Sequence, residues 1–501
     1  MEKYVFGIDL GTSSVKVLAM NQAGKIVSQA SEKYALSQPL PGYSEQDPAD
    51  WVQSTIHCIR QLLTTMAVPG SCIEGVSFSG QMHGLVLLDV NNNVLRPAIL
   101  WNDTRTTPQC QGIERTFGDH FTELTGNRPL EGFTLPKLLW VKEHEPEIWQ
   151  KSRTFLLPKD YLRLQFTGKL CTDYSDATGT VMVDIQQRCW SKEICQTVGI
   201  PIKMCPPLVE ASDYVGNVTA AFAHLSGLSP ATKVFAGGGD NACGALGAAV
   251  LEPKTVLSSI GTSGVILKYE GSKCPDYQGK LQLECHTLPK TYYSMGVTLS
   301  AGHSLDWFKD NFLPKISYEA MMKQAVTRPV GANGLLFTPY IFGERAPYND
   351  AGIRGSFIGV DGMQNQFDFV RSIMEGITFS FRDILKIYET ADSEVEKVIA
   401  IGGGAKSAFW LQIQADIFNK PVLTLTNEQG PGFGACMLAA VGVGWFKNLH
   451  DCATVLVDFG QQYSPIRQNV ERYQRLYEIY HAVYGQTQEL SHKLLAFRQG
   501  E

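Results

Sequence analysis

Val5-Phe6-Gly7-Ile8-Asp9-Leu10-Gly11-Thr12-Ser13-Ser14-Val15-Lys16-Val17-Leu18-Ala19-Met20 is the stretch that decides the fold of this chain. Residues 5–8 and 15–20 are apolar and rich in β-branched side chains, so they read as two strands joined by the polar turn from Asp9 to Ser14. Asn21-Gln22-Ala23-Gly24 turns the chain again, into a third strand near residues 26–30. Residues 256–260, the turn Gly261-Thr262-Ser263-Gly264 and residues 265–269 repeat this grammar, and Gly261 stands 250 positions after Gly11. A repeat at half the chain length predicts a duplicated unit. A second pair is looser. Residues 233–236 run into Gly237-Gly238-Gly239-Asp240-Asn241 and a small-residue helix to about Val250. Residues 398–401 run into Gly402-Gly403-Gly404, then a helix near 407–418 and a strand at 422–425. Strand, glycine loop, helix and strand point to α/β layers. We expect two α/β halves, residues 1–245 and 246–501, with a ligand cleft between them. Two apolar stripes at helical spacing, Phe369-Ile373-Ile377-Phe381-Ile384 and Tyr473-Leu476-Tyr477-Tyr480-Val483, read as core-facing helices.

Composition narrows the function classes. A chain of 501 residues has ample length for large cores, and about 150 residues per domain gives roughly three units, for which two large ones fit the pattern better. Lys and Arg total 43 against 49 Asp and Glu, a formal charge of −6 with no basic block, which argues against nucleic acid as a partner. The start MEKYVFGIDL enters a strand at once, without a basic leader or a long apolar core. Residues 433–446 are apolar but too short and too rich in Gly and Ala to span a bilayer, so a buried helix is expected there. The 12 cysteines form no CxxC pair, which speaks against zinc and against a disulfide framework. The expectation is a cytoplasmic protein with reduced thiols and no membrane partner.

Three glycine turns could bind phosphate or nucleotide: Gly11-Thr12-Ser13-Ser14, Gly261-Thr262-Ser263-Gly264 and Gly402-Gly403-Gly404. They offer backbone N–H groups without side-chain bulk, and the first two add hydroxyls. None is a Walker A loop or a GxGxxG fingerprint. Asp9 reads either as a turn former or as a carboxylate facing Mg²⁺ beside phosphate. Asp240 reads either as a helix N-cap or as a general base for a hydroxyl attacking a γ-phosphate. In Ser79-Gly80-Gln81-Met82-His83-Gly84, Gln81 and His83 are either structural or aimed at a polyhydroxylated ligand. Trp101-Asn102-Asp103-Thr104-Arg105 is either a sugar-stacking site or a loop with internal ion pairs.

These motifs together resemble the FGGY carbohydrate kinases, within the superfamily shared by actin, hexokinase and heat-shock ATPases. The most specific segment is Gly132-Phe133-Thr134-Leu135-Pro136-Lys137-Leu138-Leu139-Trp140-Val141, joined by Gly343-Glu344-Arg345-Ala346-Pro347 and Gly355-Ser356-Phe357-Ile358-Gly359. The resemblance implies two ribonuclease H-like domains flanking a catalytic cleft, sugar bound mainly by the first and ATP by the second. Tyr43-Ser44-Glu45-Gln46-Asp47-Pro48, Gly80-Gln81-Met82-His83-Gly84, Leu157-Pro158-Lys159-Asp160-Tyr161 and Gly237-Gly238-Gly239-Asp240-Asn241 are most similar to the branch that phosphorylates D-xylulose at its C5 hydroxyl in pentose catabolism. Ribulose, gluconate or glycerol is the alternative acceptor. By the same resemblance Asp240 is the catalytic base and Asp9 the carboxylate near Mg²⁺. Met82 and His83, with Gln81, Trp101 and Asn241, contact the sugar. Thr12, Ser13, Gly261, Thr262, Gly403 and Gly404 hold ATP, and two chains pair through the C-terminal half. Two departures from the pattern are Ala346, where Thr is expected, and Phe433, which is bulkier than usual and is expected to reshape the adenosine side. An actin- or chaperone-like ATPase and a non-catalytic sugar sensor are the rival classes.

Overall fold

Residues 4–10 are apolar at nearly every position, as a strand covered on both faces must be. The computed structural model describes residues 2–499 and places them as the strand Tyr4–Leu10 inside a seven-stranded sheet. Alternation sorts the two faces. Phe6, Ile8 and Leu10 pack with Trp51, Ile59 and Leu62 of the helix Pro48–Met66, whereas Val5 packs with Leu18, Phe235 and Met437. Asp9 shares the face of Val5 and Gly7, at the end of the strand.

The first sheet runs Tyr214–Asn217, Lys233–Phe235, Ile73–Gly80, Tyr4–Leu10, Ser14–Asn21, Ile26–Lys33. Its pairings are antiparallel, parallel, parallel, antiparallel and antiparallel. The short strand Gly238–Gly239 also pairs with Ile73–Gly80. The second sheet runs Phe459–Tyr463, Val422–Leu425, Lys397–Gly402, Thr255–Ile260, Gly264–Gly271, Tyr292–Thr298, Gln282–Cys285 and repeats that series before one more antiparallel edge strand. The two Gly-Thr-Ser turns therefore close equivalent hairpins, and the expected duplication is present. The looser second pair is not equivalent. By strand order Lys397–Gly402 is the counterpart of Ile73–Gly80, and Lys233–Phe235 of Val422–Leu425. Glycine runs occur wherever backbone passes close to backbone, so composition alone misaligned them.

Two small-residue helices join the halves. In Asp240–Gly247, Ala242 and Ala245 pack with Leu257, Leu267 and Ile399 of the second sheet, while Cys243 and Leu246 pack with Val5 and Cys436 against the first. The expected boundary at 245/246 falls inside this helix. Pro431–Gly442, the buried helix expected near 433–446, comes from the second half but lies on the first sheet. A Cβ on Gly7 would meet the Gly432 carbonyl oxygen at 2.2 Å, and one on Gly434 would meet the Cys243 carbonyl oxygen at 2.0 Å. Phe433 packs in this seam with Leu246 and Leu438 and is not among the residues lining the cavity of Gly403 and Gly404. The two predicted stripes lie on the helices Gln366–Thr390 and Arg467–Gln499 and meet in the second half's core. Among the described residues no helix is long and apolar enough to cross a membrane.

Gly434→Ala must push two backbones apart and is expected to cost about 1–3 kcal/mol, the usual range for overpacking. Gly485→Ala, on the exposed face of the last helix with open space at its Cβ, should leave the thermal midpoint unchanged or raise it. Thermal unfolding of the two variants beside the parent chain checks both.

Candidate active site

Asp240 owes its position to three glycines. Gly237 has φ of 82°, and a Cβ there would lie 2.4 Å from the Phe78 carbonyl oxygen. On Gly239 it would lie 2.9 Å from the Met82 side chain. The backbone is thus pressed against the strand Ile73–Gly80 and against Met82, with the Gly239 N–H donating to Ser175 Oγ at 3.0 Å. Asp240 then opens its helix as the first residue, not as the cap, which is Gly239. Its Oδ1 accepts from the Asn241 N–H at 2.7 Å.

Burial, and then the negative charge of Asp9, push the Asp240 carboxyl up to about 7. Asp9 itself is pushed up to about 6 by burial, against the opposing effects of a Ser79 hydrogen bond and the Lys16 charge. No cation pairs with either carboxylate among the described residues. Two carboxylates close enough for one to raise the other, with no ion-pair partner among the described residues, suit a divalent cation, which takes carboxylate and phosphate oxygens.

Met82, His83, Trp101, Asp240 and Asn241 line one cavity of about 210 Å³. His83 has φ of 68°, rare for a side-chain-bearing residue and worth 1–3 kcal/mol of strain by rough estimate. The fold holds it there. The His83 carbonyl accepts from Thr134 Oγ1 at 3.0 Å and from Lys137 Nζ at 3.0 Å, and the Phe133 ring meets the imidazole edge to face at 4.9 Å. Burial, helped by the Lys137 and Arg345 charges, lowers the His83 pKa to about 3, so the ring is neutral. Nδ1 lies 2.9 Å from the Gly179 carbonyl oxygen, which can only accept, so the proton sits on Nδ1 and Nε2 is an acceptor for a ligand hydroxyl.

Trp101, 41% exposed, donates its indole N–H to Thr12 Oγ1 at 2.9 Å, tying the cavity wall to the first glycine turn. That turn is braced further by Gln46 Nε2 on the Thr12 carbonyl at 2.7 Å and by the Tyr34 hydroxyl on the Gly11 carbonyl. Ser13 is exposed in the same turn. Gln81 differs from expectation. It is buried behind the turn, its Nε2 3.3 Å from Gln46 Oε1, and is not among the cavity-lining residues. Asp103 and Arg105 also point away from the cavity. They form a buried ion pair at 2.6 Å, with Arg105 3.6 Å above the Tyr43 ring, so the internal-pairing reading holds for them and the sugar reading survives only for Trp101.

Asp240 and Asn241 also border a second cavity of about 270 Å³ with Ser259, Glu428 and Pro431. Gly261, Gly403 and Gly404 line a third, of about 580 Å³, with Tyr318 and Trp410. Thr262 is exposed in its turn, and its carbonyl accepts from the N–H groups of Ala301 and His303 at 3.0 and 3.1 Å. Asp240 thus stands where the first cavity meets the second, which also reaches Gly244, Gly247 and Gly430. Phosphoryl transfer requires an aligned hydroxyl, a base and a held phosphate chain, and a carboxylate bordering two cavities is compatible with it. Sequence reading missed Phe133, Gln282 and Arg345 as lining residues. Phe133 and Arg345 lie in quoted segments, but nothing local indicates that distant loops converge here.

A family model for the N-terminal domain of the FGGY family of carbohydrate kinases matches residues 4–247, and the model for the C-terminal domain matches residues 256–443. The chain is 52% identical to the xylulose kinase of Bacillus subtilis (strain 168), over 99% of this chain and 100% of that one. Its structure superposes on ligand-bound xylulose kinase from Lactobacillus acidophilus with a TM-score of 0.93 at 26% identity, covering 98% of this chain and 100% of the other. Gluconate kinase from Lactobacillus acidophilus gives 0.92 at 26% identity, covering 97% and 98%. By these family matches across both halves, and by full-length identity of this order, the chain belongs to the FGGY family of carbohydrate kinases.

Proposed function

We propose that the chain transfers the γ-phosphoryl group of ATP to the C5 hydroxyl of D-xylulose, forming D-xylulose 5-phosphate and ADP. One observation carries the mechanism: Asp240 borders both the cavity of Met82 and His83 and the cavity that leads toward Pro431. The choice of sugar rests on the full-length identity to a xylulose kinase, since xylulose and gluconate kinases share this fold.

In this reading His83 Nε2 accepts from a sugar hydroxyl, Trp101 covers one face, and Asn241 sits beside the reacting end. Asp240 takes the proton of the attacking hydroxyl as its oxygen bonds to phosphorus and the β–γ bridge breaks. The raised pKa of Asp240 makes it a better proton acceptor than an ordinary carboxylate while leaving much of it ionised near neutrality. Asp9 would hold Mg²⁺, which supplies charge neutralisation on the phosphates. The turns at Thr12-Ser13 and Gly261-Thr262 would receive the phosphates, and Gly403-Gly404 the adenosine. The same reading divides the chain into a sugar-binding half to residue 245 and an ATP-binding half beyond it. It also makes the protein cytoplasmic and a homodimer through the C-terminal half, where Leu490, Leu494 and Phe497 are exposed on the last helix.

ADP release from Mg·ATP should be stimulated by D-xylulose and far less by D-ribulose, L-ribulose, glycerol or gluconate; turnover indifferent to sugar would refute the reading. Asp240→Asn should lose at least about 10²-fold in kcat with a much smaller change in sugar affinity. Misfolding should not explain that loss. An acid whose folded pKa is raised loses stability as pH climbs through the window from about 4 to about 7, and Asn has no such loss. At pH near 8 the variant should therefore melt no lower than the parent. The kcat/KM profile should rise from the acid side with a midpoint near 7. Asp9→Asn removes the charge that raises Asp240, so the midpoint should move to lower pH and the Mg²⁺ requirement should weaken in affinity.

A further inference from the structure

Arg345 is a charged residue for which the reaction above has no task. It lines the acceptor cavity and also a narrow extension beyond it, bordered by Asn127, Arg128 and Lys280. Its backbone is anchored on both sides. The neighbouring Glu344 carboxylate accepts from Thr298 Oγ1 at 2.6 Å, from the Leu299 N–H at 3.2 Å and from the Arg345 N–H at 2.8 Å. The Ala346 N–H donates to the Val297 carbonyl at 3.0 Å. The guanidinium, in contrast, makes no hydrogen bond or ion pair among the described residues, although the Glu131 and Glu344 charges act on it from a distance. Five N–H donors and no acceptor make it a group that needs oxygens from elsewhere.

Its place along the cavity is defined by what each end shares. Asp240 and Asn241 border the junction with the nucleotide-side cavity, whereas Arg345, Gln282 and Phe133 border the junction with the narrow extension. Arg345 thus faces the end of an acceptor remote from the hydroxyl beside Asp240. Gln282, 8% exposed, stands at the same end with a buried Oε1 that has no hydrogen-bond partner among the described residues. The lowering of the His83 pKa by the Arg345 charge agrees with both facing one space.

We propose that Arg345 is a specificity-determining residue that grips the remote end of the acceptor, donating to the C2 carbonyl oxygen of a 2-ketose while Gln282 accepts from an adjacent hydroxyl. This rests on Asp240 as base and D-xylulose as acceptor. A carbonyl oxygen offers two lone pairs and has no hydrogen to place, so it suits a fork of donors. A C2 hydroxyl must also find an acceptor for its own proton. A three-carbon acceptor held at Asp240 would leave Arg345 without its partner. Lysine would present a point charge in place of the planar fork.

Isothermal titration of the full chain with D-xylulose, and with xylitol and D-arabitol, the two alcohols formed by reducing its C2 carbonyl, tests this. Arg345→Gln should weaken D-xylulose binding at least about tenfold, the low end for losing a hydrogen bond to a charged group, and should weaken the alcohols several-fold less. Arg345→Lys should fall between. In steady-state kinetics the loss for D-xylulose should appear in KM more than in kcat. Equal losses for ketose and alcohols, as a merely structural role would give, or unchanged D-xylulose binding in both variants, would overturn the proposal. A parent enzyme that turns over another polyol and ignores D-xylulose would overturn the substrate assignment, and the carbonyl contact with it.

Discussion

The contact on which the rest of the molecule depends is that of the helix Pro431–Gly442 with the strand Tyr4–Leu10 and the helix Asp240–Gly247. Three glycines, Gly7, Gly432 and Gly434, let backbone meet backbone there, and added Cβ atoms at Gly7 and Gly434 would collide with carbonyl oxygens at 2.2 and 2.0 Å. Such an approach leaves no slack: any larger residue must separate the halves. Asp240 begins one of these helices, and a Cβ on Gly432 would lie 3.4 Å from that of Asp9. The packing that joins the halves is thereby also the packing that brings the two carboxylates into each other's field.

That field costs stability and raises the proton affinity of Asp240. Among the described residues neither carboxylate forms an ion pair, Lys16 only partly opposing the rise at Asp9, and each is raised above the ordinary carboxylate range, Asp240 in part by Asp9 itself. Elsewhere the chain handles buried charge differently. Lys159 pairs with Asp160 at 2.6 Å and with Asp173 at 2.7 Å, and Arg163 pairs with Asp160 at 2.7 Å, all fully buried. Asp173 in turn binds Ser175, whose Oγ receives the Gly239 N–H just before Asp240. A neutralised cluster therefore supports an unneutralised pair, the expected arrangement where strain is retained for function.

His83 shows the same economy. A left-handed backbone, a neutral ring and a fixed tautomer are imposed by Thr134, Lys137, Phe133 and Gly179, which lie about fifty to a hundred residues away in sequence. The segment Gly132 to Val141 looks in sequence like a family marker and in structure is the clamp on His83. Arg345 reaches the same cavity from the second half, so both halves contribute to its wall.

Much was legible in the residues alone. Apolar runs and turn chemistry indicated strands near 5–8, 15–20 and 256–260, the turns after Asp9 and Ile260, and a buried helix near 433–446, all present with slightly different ends, because these depend on neighbours within a few positions. Motif composition also singled out Asp9, Asp240 and His83, and the family resemblance added Met82. Other features depend on which distant segments meet, and only the tertiary structure decided them. It aligned Gly402 with Gly80 and not with Gly237, turned Gln81, Asp103 and Arg105 inward, and sent Phe433 into the seam. It left the Arg345 guanidinium and the Gln282 Oε1 in a cavity without a hydrogen-bond partner among the described residues. A side chain's residue type states what it can bond. Which atoms stand within reach is set by the packing of segments hundreds of residues apart, and no local pattern encodes that.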